Sequence, residues 1–165
     1  MRKIWLCLCL FSCFLCDVQA EGYCVMNGND GTIIEEGNMH ETQSVASISK
    51  VMTAMIAIEY GNLKDEWKVS DAILKADGSS IYLQVGEQVT LEDLLYGLML
   101  RSGNDAAVEI AVHVGGDEAH FVEMMNEEAL SLGATNTHFV NPHGLSHEEH
   151  YTTAYDIYLI MNEAI

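Results

Sequence analysis

Ser47-Ile48-Ser49-Lys50 stands at the head of an apolar stretch, and Ser102-Gly103-Asn104 begins 52 residues after Lys50. On a helix, residues three apart share a face, with Cβ atoms about 5–6 Å from each other. A hydroxyl and an amine at that spacing suit nucleophilic catalysis. A desolvated, neutral lysine can take the serine proton, and the positive end of a helix favours the alkoxide that develops. A second Ser/Asn pair, on a turn between two helical segments, can relay a proton and clamp a substrate. Each motif alone has a plainer reading. Ser47 and Lys50 could be a cap and a solvated lysine, and Ser102-Gly103-Asn104 a mere interhelical turn, since Ser, Gly and Asn are turn formers. The two in order point to chemistry.

The elements that must hold these residues follow from periodicity and punctuation. Tyr23–Met26 and Thr32–Ile34 read as strands, joined by the turn residues Asn27-Gly28-Asn29-Asp30-Gly31. Residues 35–43 are polar and acidic, as in a surface loop. A helix is expected from Ser47 to Tyr60, with Val51, Met55 and Ile58 as its apolar stripe and Gly61 as its stop. Residues 64–90 lack a long helical period and read as an irregular excursion with little sheet. Thr90-Leu91-Glu92-Asp93 opens a helix through an approximate capping box. Leu91, Leu94, Leu95, Leu98 and Met99 make that helix apolar almost all round, which implies burial. Further helices are expected over 105–114 and 117–132, the latter stopped by Gly133. A loop over 134–151 holds the sole proline, Pro142, and Thr152 or Thr153 caps a last helix running to Ile165. Ile157, Ile160, Met161 and Ile165 leave that helix with an apolar face in need of cover.

With 165 residues the chain is long enough for one domain with a real core. Arg2 and Lys3 precede an apolar run from Ile4 to Cys16, and Val18-Gln19-Ala20 fits a small-x-small cleavage site. Residues 1–20 therefore read as an export signal, too short for a comfortable membrane span. Leu10-Phe11-Ser12-Cys13 is only a loose lipobox. Cleavage after Ala20 would remove four of the five cysteines and leave Cys24, a packed hydrophobe on a strand, without an intrachain disulfide partner. The formal net charge is −18. Such acidity argues against nucleic acid, whose phosphates demand a basic face, and against adsorption to anionic lipid.

His138, His143, His147 and His150, with Glu148 and Glu149 nearby, invite a metal reading. The segment has no helical H-E-x-x-H, so a surface cluster without metal is expected, and no cofactor. Met52, Met55, Met99, Met124, Met125 and Met161 fit apolar stripes and read as core. Glu35-Glu36, Glu127-Glu128 and Glu148-Glu149 read as solvated surface.

Taken together, these residues resemble the serine D-alanyl-D-alanine carboxypeptidases, the low-molecular-mass penicillin-binding proteins, over about 21–165. Ala46-Ser47-Ile48-Ser49-Lys50-Val51-Met52-Thr53-Ala54 is similar to the family's nucleophile helix. Leu95-Tyr96-Gly97-Leu98 through Ser102-Gly103-Asn104-Asp105-Ala106-Ala107 is similar to its second motif. The match continues through Phe121 to Met125-Asn126, Leu132-Gly133-Ala134, Thr137-His138-Phe139-Val140-Asn141-Pro142-His143-Gly144-Leu145 and Thr153-Ala154-Tyr155-Asp156. The resemblance implies Ser47 as acylated nucleophile, Lys50 as its proton acceptor, Ser102 as proton relay to the leaving D-alanine, and Asn104 as a substrate-backbone ligand. It also implies the Ser47 N–H as one arm of an oxyanion hole. The implied substrate is a peptidoglycan stem peptide ending in D-Ala-D-Ala, with β-lactams as covalent inhibitors. Cell-envelope or secreted localisation follows, with membrane anchoring only if a further C-terminal segment supplies it.

The implied fold is α/β (α+β): an antiparallel sheet flanked by helices, an all-α lobe, and the site in the cleft between. This chain would hold the first two strands and most of the helical lobe. The family's K-T-G strand supplies the second oxyanion arm, yet no Lys-Thr-Gly or Lys-Ser-Gly follows Asn104. Loss of one oxyanion donor costs about 10²–10³ in turnover. The expectation is a chain truncated before that motif and impaired in catalysis. Two other readings stand beside it: a non-catalytic peptidoglycan- or β-lactam-binding module, and a serine β-lactamase. The second is disfavoured because Asn141-Pro142-His143-Gly144-Leu145 lies where a deacylating glutamate would fall.

Overall fold

Turn chemistry starts the described part of the chain, residues 22–165 of a computed structural model; the export-signal reading of 1–20 lies outside the described residues. Asn27 accepts from Asn29 N–H and Asp30 from Thr32 N–H, and Gly31 takes φ +70°. This closes the antiparallel hairpin of β1 (Tyr23–Met26) and β2 (Ile33–Gly37), with a register shift at Val25/Met26. Cys24 is half-buried on β1. Two further two-stranded ladders follow. β3 (Gln43–Ser44) pairs with β6 (Tyr151–Thr152), and β4 (Glu66–Lys68) pairs with β5 (Gln88–Thr90), all antiparallel. The polar loop expected over 35–43 is thus corrected at both ends: 35–37 belong to β2, and Gln43 opens β3. Gln43 faces Thr152 and Ser44 faces Tyr151 across that ladder. The pairing brings the chain just before Ser47 beside the segment that precedes the last helix.

Five helices carry the rest: α1 (Ser49–Tyr60), α2 (Leu91–Arg101), α3 (Asn104–Gly115), α4 (Glu118–Ser131) and α5 (Ala154–Glu163). Three of their starts are capped, those at Thr90 and Thr153 as the sequence suggests. Thr90 and Asp93 complete a reciprocal capping box, Asp117 accepts from His120 N–H, and Thr153 accepts from Asp156 N–H. Helix α1 is central, packing against α2, α3, α4 and α5. The buried side of α1 includes Met52, Thr53, Ala54, Ile56 and Ala57, whereas Ile58 is 60 % exposed. The expected stripe is therefore corrected at Ile58, while Val51 and Met55 are partly buried against the core. Small residues decide the packing: Ala54 and Ala57 on α1, and Ala106, Ala107 and Ala111 on α3, are buried and let the helices approach closely.

A second correction concerns α2. Leu91, Leu94 and Leu98 are buried, but Tyr96, Met99 and Leu100 lie exposed, so it is a one-sided helix. The apolar face of α5 finds cover against β1 and α1, with Ile160 buried and Ile165 left exposed. Among the described residues, no helix is long and apolar enough to cross a membrane.

Candidate active site

Ser47 lies in the turn that leads into α1, where Lys50 N–H donates to its carbonyl at 3.1 Å. The turn keeps helical spacing, so Ser47 and Lys50 share a face as their separation requires. Lys50 Nζ stands 3.4 Å from Ser47 Oγ and donates to the His143 carbonyl at 2.7 Å. Ser47 is exposed while Lys50 is only 3 % exposed. Among the described residues, no carboxylate pairs with Lys50. Burial alone holds its pKa below the usual lysine range. A buried amine without an acidic partner, beside an accessible hydroxyl, can act as a proton acceptor.

The far side of the amine is built by residues 139–150. Three inward positions of α1 tie to that loop: Ser49 Oγ to His150 Nε2 at 2.8 Å, Lys50 to the His143 carbonyl, and Thr53 Oγ1 to the Pro142 carbonyl at 2.6 Å. Asn141 folds the loop, accepting from Gly144 N–H at 2.7 Å and donating to the Leu145 carbonyl at 2.9 Å. Gly144 has φ +85°, and a Cβ there would collide with the Ala46 carbonyl oxygen. Glycine is thus required twice over, by conformation and by contact. Burial and the Lys50 charge push the His143 imidazole down to about 4, leaving it neutral. The expected surface cluster of histidines is corrected at His150, which is wholly buried. Its burial comes from tertiary packing against α1, which no local pattern announces.

Ser102 and Asn104 form the second group. Ser102 caps α2 in the left-handed conformation, φ 55° and ψ 34°. For a non-glycine residue that costs about 1–2 kcal/mol, and such strain gathers at functional sites. The Ser102 carbonyl accepts from Ser79 Oγ at 2.5 Å, and Asn104 N–H donates to the Ser79 carbonyl at 2.7 Å. Asn104 is 4 % exposed; its side-chain amide donates to the Asp77 carbonyl at 2.5 Å, and its Oδ1 has no partner among the described residues. Gly78, with φ +89°, leaves room for that amide, since a Cβ would sit 2.8 Å from Asn104 Nδ2. Asp105 fastens the 79–83 segment by accepting from Ser80 Oγ, Ile81 N–H and Leu83 N–H. Burial by itself would raise the Asp105 pKa, but these bonds and one from Ala106 N–H outweigh it and hold the carboxylate below the usual range.

Among the described residues, no hydrogen bond joins the Ser47/Lys50 pair directly to the Ser102/Asn104 pair. They meet through the loops: the segment that receives Lys50 at His143 also brings Leu145 next to Gly78, which abuts Asn104. Sequence reasoning names all four residues; Thr53, Asp105 and Gly144 appear in it only within the matching segments and His150 only as surface, with no supporting role for any of them. The turn residues Asn141-Pro142-His143-Gly144 are the one available signal for the loop.

Comparison with known proteins identifies the family and the fold. A sequence model of the family described as D-alanyl-D-alanine carboxypeptidase matches residues 12–165. The chain is 35 % identical over 152 residues to D-alanyl-D-alanine carboxypeptidase DacF of Bacillus subtilis, covering 89 % of this chain and 39 % of that protein. It is 34 % identical over 156 residues to DacC of Escherichia coli, covering 87 % and 38 %. The chain thus spans about two fifths of the length of these curated relatives. Among solved structures, DacD from Francisella tularensis superposes with a TM-score of 0.83 at 33 % identity, covering 89 % of this chain and 37 % of that one. Penicillin binding protein 6B from Escherichia coli gives 0.81 at 30 %, covering 86 % and 48 %. The fold is accordingly that of the penicillin-binding carboxypeptidases, of which these residues form a part. The chain belongs to the D-alanyl-D-alanine carboxypeptidase family.

Proposed function

We propose that the protein is an exported serine D-alanyl-D-alanine carboxypeptidase of the cell envelope, acting on peptidoglycan stem peptides. The carrying observation is the buried Lys50 amine, without a carboxylate partner among the described residues, 3.4 Å from the exposed Ser47 hydroxyl. Ser47 Oγ attacks the penultimate D-Ala carbonyl while Lys50 Nζ accepts its proton. The C–N bond then breaks, and the leaving D-alanine amine takes up a proton relayed by Ser102. Water hydrolyses the resulting ester, freeing Ser47. The unpartnered Asn104 Oδ1 supports a role in accepting a substrate N–H, because a buried lone acceptor is costly until it is satisfied. β-Lactams acylate the same serine by opening the lactam C–N bond. A Lys-Thr-Gly motif would complete the oxyanion and carboxylate sites.

The test is intact-mass spectrometry after incubation with benzylpenicillin, alongside release of D-alanine from a peptide ending in D-Ala-D-Ala. One penicilloyl adduct on the wild-type protein and none on Ser47→Ala is the expected result. An adduct that survives Ser47→Ala would assign the nucleophile elsewhere. Binding of stem peptide with neither adduct nor D-alanine release would favour a non-catalytic module.

A further inference from the structure

The Ala46–Ser47 peptide is held through its carbonyl, which accepts from Ser49 N–H at 3.0 Å and from Ser49 Oγ at 2.9 Å. Its N–H, belonging to Ser47, donates to no acceptor among the described residues. A trans peptide is planar, so fixing the carbonyl direction fixes the N–H on the opposite side. Ser49 Oγ has one hydrogen, and that hydrogen goes to Ala46. The oxygen must therefore accept from its other neighbour, His150 Nε2, at 2.8 Å.

The imidazole is committed to this role by its second nitrogen. Val140 N–H donates to His150 Nδ1 at 3.0 Å. That nitrogen is consequently the acceptor, and the ring proton resides on Nε2, pointing at Ser49. The chain runs one way: Val140 N–H to Nδ1, Nε2–H to Ser49 Oγ, and Ser49 O–H to the Ala46 carbonyl. Each bond polarises the next, and donation into an amide carbonyl makes its N–H a stronger donor. His150 is wholly buried and packs edge-on against Phe139 with ring centroids 5.7 Å apart, so the ring cannot swing away. Burial, with the nearby imidazoles of His143, His138 and His147, keeps it neutral, at about 4.

We propose that His150 is a positioning residue for acyl transfer, acting through Ser49 to aim the Ser47 N–H at the oxyanion formed during attack by Ser47. This rests on the acyl-transfer reading above and goes beyond it. It gives Ser49, the middle serine of the motif, a function, and it ties the oxyanion arm to a residue 103 positions from Ser47 in the chain.

Conservative variants separate this role from simple packing. In His150→Gln the side-chain amide can still donate to Ser49 from a position near Nε2. In His150→Asn the amide oxygen can still accept from Val140 N–H, but nothing reaches Ser49. The acylation rate by benzylpenicillin on the natural full-length protein should stay within about threefold in His150→Gln. It should fall about tenfold or more in His150→Asn and Ser49→Ala, less than the ~10²–10³ that follows outright loss of an oxyanion donor. Binding before acylation should change little. The independent readout is the Ser47 amide resonance in ¹H–¹⁵N spectra without ligand, which should move in His150→Asn and Ser49→Ala and hold in His150→Gln. A Ser47 amide indifferent to all three variants, or His150→Asn acylating as fast as His150→Gln, would overturn the proposal. Loss of adduct in Ser47→Ala reports separately on the acyl-transfer reading, and the amide shifts are read even where no adduct forms.

Discussion

Lys50 illustrates how burial changes the protonation of an ordinary side chain. In water its amine is charged up to about 10.4. In the protein it keeps two oxygen neighbours, Ser47 Oγ and the His143 carbonyl, neither of which carries a formal charge. Desolvation therefore favours the neutral form and lowers the pKa. Acylation should rise with pH and level off at an apparent pKa below that of free lysine. A rate that kept climbing through ~10.4 would place the base elsewhere. Lys50→Arg keeps the length but cannot deprotonate, so the acylation rate should drop by about 10²–10⁴ while the fold persists. The same shift has a sign for stability. Because the folded pKa lies below the unfolded one, the unfolded chain binds the proton more tightly between them, and stability rises with pH across that window. Lys50→Met should remove that slope, which denaturant titrations at several pH values would read.

At the scale of elements, the two candidate pairs depend on loops that cross in front of α1 and α3. Gly144 makes the first crossing possible. Gly144→Ala forces a Cβ into the Ala46 carbonyl and strains a left-handed backbone, so stability should fall by more than about 1 kcal/mol and acylation should slow with it. Wild-type thermal stability together with wild-type acylation would contradict that placement. Asp105 makes the second crossing. Asp105→Ala orphans the donors of Ser80, Ile81 and Leu83, and should cost about 2–3 kcal/mol, measured by urea unfolding. Its carboxylate pKa is depressed on folding, so its contribution is present above the unfolded value and lost as pH falls through the folded one. Legibility in the sequence follows the same division. Caps at Thr90 and Thr153, the 27–31 turn, and the Ser47/Lys50 spacing are readable because adjacent residues cause them. The inward face of α1 escapes the apolar pattern because alanines and Thr53, not large apolar residues alone, meet α3 and the 139–150 loop. His150 reads as surface because its cover arrives from a helix about a hundred positions away.

For the whole molecule, the dominant long-range term is charge. Twenty-five acidic residues face seven lysines and arginines, for a formal net charge of −18. Among the described residues, the close contacts between basic and acidic side chains are His113–Asp65 at 3.8 Å and His120–Glu123 at 3.3 Å, so no lysine or arginine there sits within pairing distance of a carboxylate. The carboxylates therefore repel one another across the surface with little local neutralisation, and compaction works against that repulsion. Screening should relieve it. The Debye length falls from about 30 Å at 0.01 M salt to about 8 Å at 0.15 M, from the width of a small domain to a few side chains. Tm should rise over that interval by about 2–8 °C, corresponding to roughly 1–2 kcal/mol for a chain of this size. Sodium and potassium chloride should act alike, because the effect is general screening. A flat Tm would show that the exposed carboxylates are spaced too widely to couple. A rise with one cation alone would point to a specific binding site, and the repulsion account would fail.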